Sequence, residues 1–218
     1  MPLRNRVTPF GEIVAVAERG LLMGNRGILH DDTPHIVRPW QVRRWITCRT
    51  EFRGRRRPLM RPHSWTELFF LDEVTAFAAG HRPCAECRFA DYQRFKAAWA
   101  AWSGEAAGAE RMDAVLHGDR LVGRGAHQRK RTYQEEIAAL PDGTFINLDG
   151  AAWLRWRGQL LAWSAAGYGA RRPLPASGSV EVLTPRALVA VLRAGYLPLV
   201  HPSAGDALGN ESGACLRC

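Results

Sequence analysis

The chain has no long apolar run. None of its 218 residues belongs to an uninterrupted stretch approaching the roughly 20 apolar residues that a membrane-spanning helix needs. The opening residues Met1–Arg6 lead into polar and turn residues and not into the apolar core of a secretory signal. We therefore expect a cytoplasmic protein that makes no contact with membranes.

Sequence signatures for nucleotide and hydride chemistry are also missing. The chain contains no Gly-rich phosphate loop, no dinucleotide fingerprint and no Ser nucleophile elbow. We therefore expect no nucleotide cofactor, and the sequence offers no support for ATP-driven or hydride-transfer reactions. Hydrophobic residues nevertheless make up 46% of the chain, which is enough to bury a core, so we do not expect wholesale disorder.

Lysine is scarce, yet the chain is strongly basic. Lys96 and Lys130 are the only lysines, while the formal net charge is +9 and the pI is about 10. Arginine supplies the remaining positive charge, and its planar guanidinium matches phosphate oxygens at any working pH. Such a surface attracts polyanions, of which nucleic acid is the commonest in a cell. An Arg-rich composition set by a GC-rich genome is the alternative, so the clustering of the arginines has to decide.

Two segments concentrate the basic residues: one runs from Arg38 to Arg61, and the second is a patch of Arg120, Arg124, Arg129, Lys130 and Arg131. Between Arg38 and Arg61, nine arginines stand against a single acid, Glu51, with three aromatic residues interleaved. Arginine can neutralise phosphates while an aromatic ring stacks on an unpaired base, although the same rings also suit a buried face. We expect nucleic acid, with DNA favoured, as the partner. The residues predicted to contact it are Arg43, Arg44, Arg49, Arg53, Arg55, Arg56, Arg57, Arg129, Lys130 and Arg131.

Hydrophobic periodicity and capping residues predict several elements. Asp72 is a predicted N-cap and Gly80 the stop of a two-turn helix, and aromatic residues spaced by three or four predict a longer helix after it. Arg157-Gly158 suits a tight hairpin between two strands. The predicted helices are 73–79, about 89–102 and a late one at 185–194, and the predicted strands are 144–148, 152–156, 159–163 and 180–183.

These elements predict an α+β chain in two parts. Residues 1–102 would form a small zinc-stabilised α/β half, and residues 110–204 a mostly β half with a late helix. The Gly-rich segment 103–109 is the predicted linker, and residues 205–218 lack a core pattern and are expected to form a flexible tail.

The cysteines point to metal binding. The chain has five of them, an odd number, which argues against a disulfide framework in a reducing compartment. Cys84 and Cys87 are separated by two residues, so a tight turn lets both thiolates reach one ion. Because this pair lies between two predicted helices and no βαβ pattern precedes it, the spacing favours zinc over a redox site.

The residues around this pair resemble a known family. The residues that carry the resemblance are Phe69-Phe70, Ala76, Ala78-Ala79-Gly80, Arg82-Pro83-Cys84 and Cys87-Arg88. They are similar to the metal-binding domain of Ada, the bacterial methyl-phosphotriester DNA repair and regulatory protein. The resemblance covers residues 69–95 and implies a small zinc-bearing α/β unit in which Cys84 and Cys87 supply two of four ligands. The Ada pattern has two further cysteines upstream, where this chain offers only Cys48.

Two completions of the ligand set remain open. Cys48 and His30 would complete a Cys₃His site, which is the preferred set, and other upstream histidines are further candidates. The terminal Cys215 and Cys218 would instead give a four-thiolate site, at the entropic cost of holding a tail in place. In either case we expect a structural Zn²⁺ that stabilises the turn and the helix after it.

Three functions are compatible with these features. The leading one is a nucleic-acid-binding protein, with DNA favoured, that contains a structural zinc. The alternative is a metal-dependent nuclease or DNA-repair enzyme using His117, His127 or His201, in which a histidine beside Asp113 or Asp119 would act as a general base. The third is a zinc-stabilised protein–protein adaptor.

Overall fold

The computed structural model describes residues 1–54, 58–123 and 128–205. The strands are β1 (Arg4–Val7), β2 (Ile13–Ala15), β3 (Leu22–Asn25), β4 (Ile46–Arg49), β5 (Leu68–Phe70), β6 (Arg82–Pro83), β7 (Leu121–Val122), β8 (Arg129–Lys130), β9 (Tyr133–Glu136), β10 (Thr144–Leu148), β11 (Ala151–Trp156), β12 (Gln159–Ser164), β13 (Gly167–Pro173) and β14 (Ser179–Val182). The helices are α1 (Glu73–Ala78), α2 (Phe89–Ser103), α3 (Ala109–Arg120) and α4 (Arg186–Arg193). No helix in these ranges is long and apolar enough to cross a membrane.

The first six strands form one sheet, in the order β2-β1-β5-β3-β4-β6. The β1–β5 and β4–β6 pairs are parallel and the others antiparallel. The N-terminal half is therefore rich in strands and the chain as a whole is mostly β, so the prediction of an α+β chain with a small α/β N-terminal half is wrong. The strands of this sheet have two to four residues each, so their period-2 patterns are weak. The loose alternation over 11–16 and the apolar residues 21–23 nevertheless predict two strands, which the structure has as β2 and β3.

The second sheet is antiparallel throughout, in the order β13-β12-β11-β10-β14-β9. Here the strand predictions for β10, β11, β12 and β14 are confirmed within a residue or two at their ends. Arg157 and Gly158 join β11 to β12 with φ values of 50° and 73°, which are the left-handed values that a type I′ hairpin turn requires. The late helix is also confirmed, as α4.

The predictions of helices α1 and α2 are also confirmed, whereas α3 was not predicted. The Asp72 side chain accepts a hydrogen bond of 2.9 Å from the Thr75 backbone N–H, as expected of the N-cap of α1. Helix α3 occupies the start of the half that the sequence predicted as mostly β, and it buries Met112 and Leu116, one turn apart. The predicted linker 103–109 lies between α2 and α3, and the division of the chain at that point stays a prediction.

Helix α1 is the centre of the molecule. All six of its residues are buried, and its faces belong to three different hydrophobic clusters. Phe77 packs with α2, α3 and α4, Val74 and Ala78 pack with the second sheet, and Ala76 packs with the first sheet. The turn after α1 leads directly to the Cys84–Cys87 segment, so this segment starts from the most completely buried element of the chain.

Candidate metal centre and basic surface

Three cysteine sulfur atoms lie close together on the first sheet. The Sγ atoms of Cys48, Cys84 and Cys87 are all within 4.8 Å of one another. A tetrahedral zinc with Zn–S bonds of 2.3 Å holds its sulfurs roughly 3.8 Å apart, so small side-chain adjustments bring all three onto one ion. The three thiols can therefore hold a metal ion. Cys48 is the ligand that the sequence predicted to join the Cys84–Cys87 pair.

The pairing of β4 with β6 explains how these cysteines meet. The two strands run parallel, and the Cys84 backbone N–H donates a hydrogen bond of 2.9 Å to the Thr47 carbonyl oxygen. Cys48 is the next residue along β4. Beyond Cys84 the chain turns, and the Glu86 backbone N–H points at the Cys84 sulfur at 3.4 Å. This turn brings Cys87 back toward Cys48, as expected from the two-residue spacing.

The Arg88 side chain holds the Cys84–Cys87 turn in place through contacts with three other residues. Its guanidinium contacts Glu73 Oε1 at 2.9 Å, Asp91 Oδ2 at 2.8 Å and Thr47 Oγ1 at 2.9 Å. Both Arg88 and Glu73 are almost completely buried, so this pair is shielded from solvent screening. Arg88, the residue after Cys87, therefore connects the three-cysteine cluster to α1, α2 and β4.

The thiols also influence one another's ionisation. The pKa of Cys84 lies far below its usual value because the Cys48 thiol, and then the Cys87 thiol, donate hydrogen bonds to its sulfur. Hydrogen bonds to Cys84 and then to Cys87, followed by burial, raise the pKa of Cys48. The cluster therefore favours the thiolate form at Cys84, and the thiolate is the form of cysteine that binds metals.

The structure does not bring His30 to this cluster. The His30 ring is buried elsewhere, with Nδ1 at 2.6 Å from Thr66 Oγ1 and Nε2 at 3.0 Å from the Arg61 carbonyl oxygen. Both ring nitrogens are engaged, so the predicted Cys₃His set is not assembled. The competing ligands Cys215 and Cys218 lie outside the described residues.

A groove of about 530 Å³ is lined by Arg49 and Arg88, the residues that follow Cys48 and Cys87 in the chain, and its lining has equal numbers of basic and acidic side chains. Its ionisable lining comprises three arginines and three acids, which are Arg49, Arg88, Arg94, Glu51, Glu73 and Asp91. A groove with this balance offers no net attraction to a polyanion. The arginines that suit nucleic acid have to be sought elsewhere on the surface.

The predicted nucleic-acid contacts are mostly exposed. The exposed members are Arg43, Arg44, Arg49, Arg53, Arg129 and Arg131. Arg55, Arg56 and Arg57 lie outside the described residues. Lys130 differs from the prediction, because its ammonium donates a hydrogen bond to the buried carbonyl oxygen of Ala78 and does not point into solvent.

The two basic segments of the sequence meet in the structure. The Trp40 indole N–H donates a hydrogen bond of 3.0 Å to Gln128 Oε1, and the Trp40 ring lies edge-on to His117 with centroids 4.7 Å apart. The Arg43 carbonyl oxygen accepts from the Arg120 guanidinium. We call this contact between residues 38–45, the end of α3 and β8 the basic junction. Both segments carry exposed arginines, and Trp40 in the first of them is half-buried.

Within the part of the chain that the structure describes, the candidate catalytic histidines His117 and His201 do not acquire acid partners. Burial, Arg120 and Arg43 together lower the pKa of His117, and its proposed acids are engaged elsewhere. Asp113 is paired with Arg82, and Asp119 accepts from a backbone N–H of α4. The His201 ring contacts Ser203 Oγ at 2.8 Å and caps a short turn. His127 lies outside the described residues.

Comparison of the chain with protein-family models, with curated proteins and with solved structures finds no match. The similarity of residues 69–95 to the Ada metal-binding domain therefore stays a prediction. The function has to be argued from the chemistry of the residues themselves.

Sequence reasoning missed a group of buried cations beside the metal centre. Arg26 and Arg120 are both 2% exposed, and both guanidinium groups lie over the ring of Trp45. Arg26 belongs to Gly24-Asn25-Arg26-Gly27, which looks like a surface turn in the sequence. A single arginine in a segment with two glycines has no sequence pattern that predicts its burial. Arg120 was predicted as part of an exposed basic patch.

Proposed function

We propose that the chain is a zinc protein in which Cys48, Cys84 and Cys87 bind a structural Zn²⁺, and that it binds nucleic acid through the basic junction. The observation that carries the proposal is the convergence of three sulfur atoms within 4.8 Å on a hydrogen-bonded turn. A donor set made of thiolates suits zinc, and it belongs to the Cys₄ and Cys₃His classes of structural site.

Three sulfurs leave one tetrahedral position for a further ligand. Structural zinc sites fill that position with a fourth protein side chain, whereas catalytic sites leave it to water or substrate. We favour a structural role because the candidate catalytic residues His117 and His201 are committed to other contacts. The metal would then join β4 to the start of α2, two elements otherwise connected through short strands.

Nucleic-acid binding is supported by charge and by the basic junction. The net charge is +9, and two distant segments that both carry exposed arginines are joined by the Trp40–Gln128 hydrogen bond and by the bond from Arg120 to the Arg43 carbonyl oxygen. Arginine suits bidentate contacts to phosphate, and a partly exposed aromatic ring is a stacking platform for an unpaired base. The resemblance to the Ada metal-binding domain points to DNA.

Zinc content tests the metal centre. Wild-type protein produced with zinc in the medium should hold one zinc per chain, and Cys84→Ser and Cys87→Ser should each lose it. X-ray absorption then counts the sulfur neighbours of the metal in wild type and in the matched control, the double variant Cys215→Ser/Cys218→Ser. Four sulfurs in wild type and three in the control would identify the tail as the fourth ligand. Absence of zinc from wild type refutes the metal centre.

Salt-dependent DNA binding tests the second part on the same proteins. Affinity for labelled single- and double-stranded DNA should fall steeply with salt, because each phosphate contact adds about 0.9 to the slope of log K against log salt. Arg43→Ala/Arg44→Ala should reduce that slope by about 2, whereas Arg157→Ala, in the β11–β12 turn, should leave it unchanged. Zinc without salt-dependent binding would leave a metal-stabilised adaptor as the function.

A further inference from the structure

The guanidinium groups of two buried arginines lie over the ring of one tryptophan in the interior. The Arg26 guanidinium carbon lies 4.2 Å from the centre of the Trp45 ring, and that of Arg120 lies 3.9 Å from it. Gly80 permits this approach, because a Cβ atom there would meet the Arg120 side chain at 2.6 Å. A third cation, Lys130, is close enough to Arg26 that the two charges repel, and this repulsion, with burial as the larger cause, lowers the pKa of Lys130 to about 7.

Two hydrogen-bond donors in this cluster have no acceptor among the described residues. Arg26 donates from Nε to His81 Nε2 at 3.3 Å, so the proton of the neutral His81 ring is on Nδ1, on the nitrogen that can donate to the Ala76 backbone. The NH2 group of Arg26 and the Nε–H of Arg120 are buried without a partner. Both are donors, so what the cluster lacks is an acceptor. Buried polar groups are normally hydrogen-bonded, and each exception needs an explanation.

The cluster also lacks a counter-charge in the described part of the chain. Asp113 is the acid whose charge reaches Arg120, but both of its oxygens already bind Arg82, at 2.8 and 2.7 Å. Arg26 and Lys130 have backbone carbonyl oxygens as acceptors, those of Gly11 and Ala78. Carbonyl dipoles do not neutralise a charge, and buried charges are as a rule paired.

We propose that Arg26, Arg120 and Lys130 form a binding site for a small phosphate dianion, either inorganic phosphate or a phosphomonoester. Such an anion supplies both missing features, since it carries two negative charges and accepts hydrogen bonds at several oxygens. Guanidinium forks suit its geometry, and the ammonium has further donors beyond the one bound to Ala78. A nucleic-acid duplex is too large for the site, because Arg26 and Arg120 are each only 2% exposed.

The segment from Pro39 to Trp45 covers this site. Its backbone contacts both arginines, through the Pro39 carbonyl oxygen to Arg26 and the Arg43 carbonyl oxygen to Arg120. The Arg26 carbonyl oxygen in turn accepts from two backbone N–H groups of the same segment. The side chains of Arg43 and Arg44 are exposed, and the Arg43 charge acts on His117, whose ring contacts Arg120 at 3.3 Å.

The proposal is tested by calorimetric titration. Inorganic phosphate is added to the zinc-loaded full-length protein and the heat of binding is measured. We expect one saturable site per chain. At a phosphate concentration about one hundred times the Kd, the Tm should rise by about 5–10 °C over potassium chloride of equal ionic strength. Calorimetry with a DNA duplex forms a separate arm, in which phosphate should not compete with DNA.

Lys130→Met separates a ligand-binding role from a structural one. It should weaken phosphate binding at least tenfold, because a charge-assisted contact is lost, yet raise the Tm in phosphate-free buffer by relieving repulsion among the cations. Arg157→Ala, in the exposed β11–β12 turn, is the matched control and should retain wild-type phosphate affinity. Wild type with equal Tm in phosphate and chloride and no saturable heat would overturn the proposal. Equal loss of phosphate binding in the two variants, or competition between phosphate and DNA, would overturn it as well.

Discussion

Three arginines, Arg26, Arg82 and Arg120, are each 2% exposed, and they differ in how their charge is compensated. Arg82 has a bidentate carboxylate partner in Asp113, whereas the other two rest on backbone carbonyls and the face of Trp45. A cation over an indole face gains up to about 2 kcal/mol when it is desolvated. Desolvating an ion costs several kcal/mol, so the ring offsets only part of that cost.

The Arg82–Asp113 pair should therefore be essential for stability. Asp113→Asn leaves a buried guanidinium without its counter-charge, and we expect the free energy of unfolding to fall by about 3–5 kcal/mol in urea denaturation. Arg111→Ala is the control, because Arg111 and Glu105 form an ion pair 3.1 Å long with both side chains more than 60% exposed. That change should stay within about 0.5 kcal/mol. Equal effects of the two substitutions would contradict this assignment.

Lys130 should give the protein a distinctive pH dependence. Its pKa is lowered in the folded state to about 7 from an ordinary value of 10.5, by burial and then by Arg26. Between these two values the unfolded chain binds more protons, so the folded state gains stability as pH rises. The slope is at most about 1.4 kcal/mol per pH unit for one proton. Below pH 7 the penalty is fully present and the slope from this residue disappears.

The difference in unfolding free energy between wild type and Lys130→Met isolates this effect from other titrating groups. Measured by urea denaturation from pH 6 to pH 9, the difference should change between pH 7 and pH 9 and be flat below. A difference independent of pH would mean that the Lys130 ammonium titrates normally.

For single residues, the sequence predicted those roles that depend on neighbours close in the sequence. The N-cap role of Asp72 and the pairing of Cys84 with Cys87 involve contacts within three residues. The role of Arg26 depends on His81, which is 55 residues away in the sequence. No local pattern reports a contact at that separation, so its burial could not be predicted.

Among the elements, β4 is the one that both candidate sites share. Trp45, which precedes the strand, contacts the buried cations, and Cys48, its third residue, belongs to the three-cysteine cluster that could hold a metal ion. Three residues of extended chain separate them by roughly 10 Å. Strand β6 is held beside β4 by hydrogen bonds from the Arg82 and Cys84 backbone N–H groups, at 3.1 and 2.9 Å.

Removing the metal should loosen this pair of strands locally. Hydrogen exchange before and after chelation should show faster exchange at the backbone N–H groups of Arg82 and Cys84, because the metal constrains the turn that follows them. The amides of β10 and β11, in the other sheet, provide an internal control and should keep their protection. Uniform loss of protection over both sheets would mean that the metal supports the whole fold. No change at all would argue against a structural ion.

The strands of the two sheets differ in how well they could be predicted. The strands β10, β11 and β12 have five or six residues each, which is long enough for alternation and turn residues to identify them. The strands of the first sheet have at most four. Helix α3 carries charges on most of its length and buries few apolar residues, so its periodicity is weak.

At the scale of the whole molecule, composition predicted the charge but not its distribution. The sequence separates two basic segments by some sixty residues, and the Trp40–Gln128 hydrogen bond brings them together. Part of the positive charge is carried by side chains in the interior, those of Arg26, Arg120 and Lys130. A formal net charge therefore overstates how much of the basic character faces a polyanion.

The packing of α4 against the earlier helices has a consequence for synthesis on the ribosome. Phe77 and Phe95 form their cluster with Leu188 and Tyr196, so that cluster cannot close until the nascent chain reaches Tyr196. At about 5–20 residues per second, the 97 residues between Trp99 and Tyr196 take roughly 5–20 s to add. For that interval the aromatic face of α2 lacks the part of its cover that α4 and Tyr196 supply.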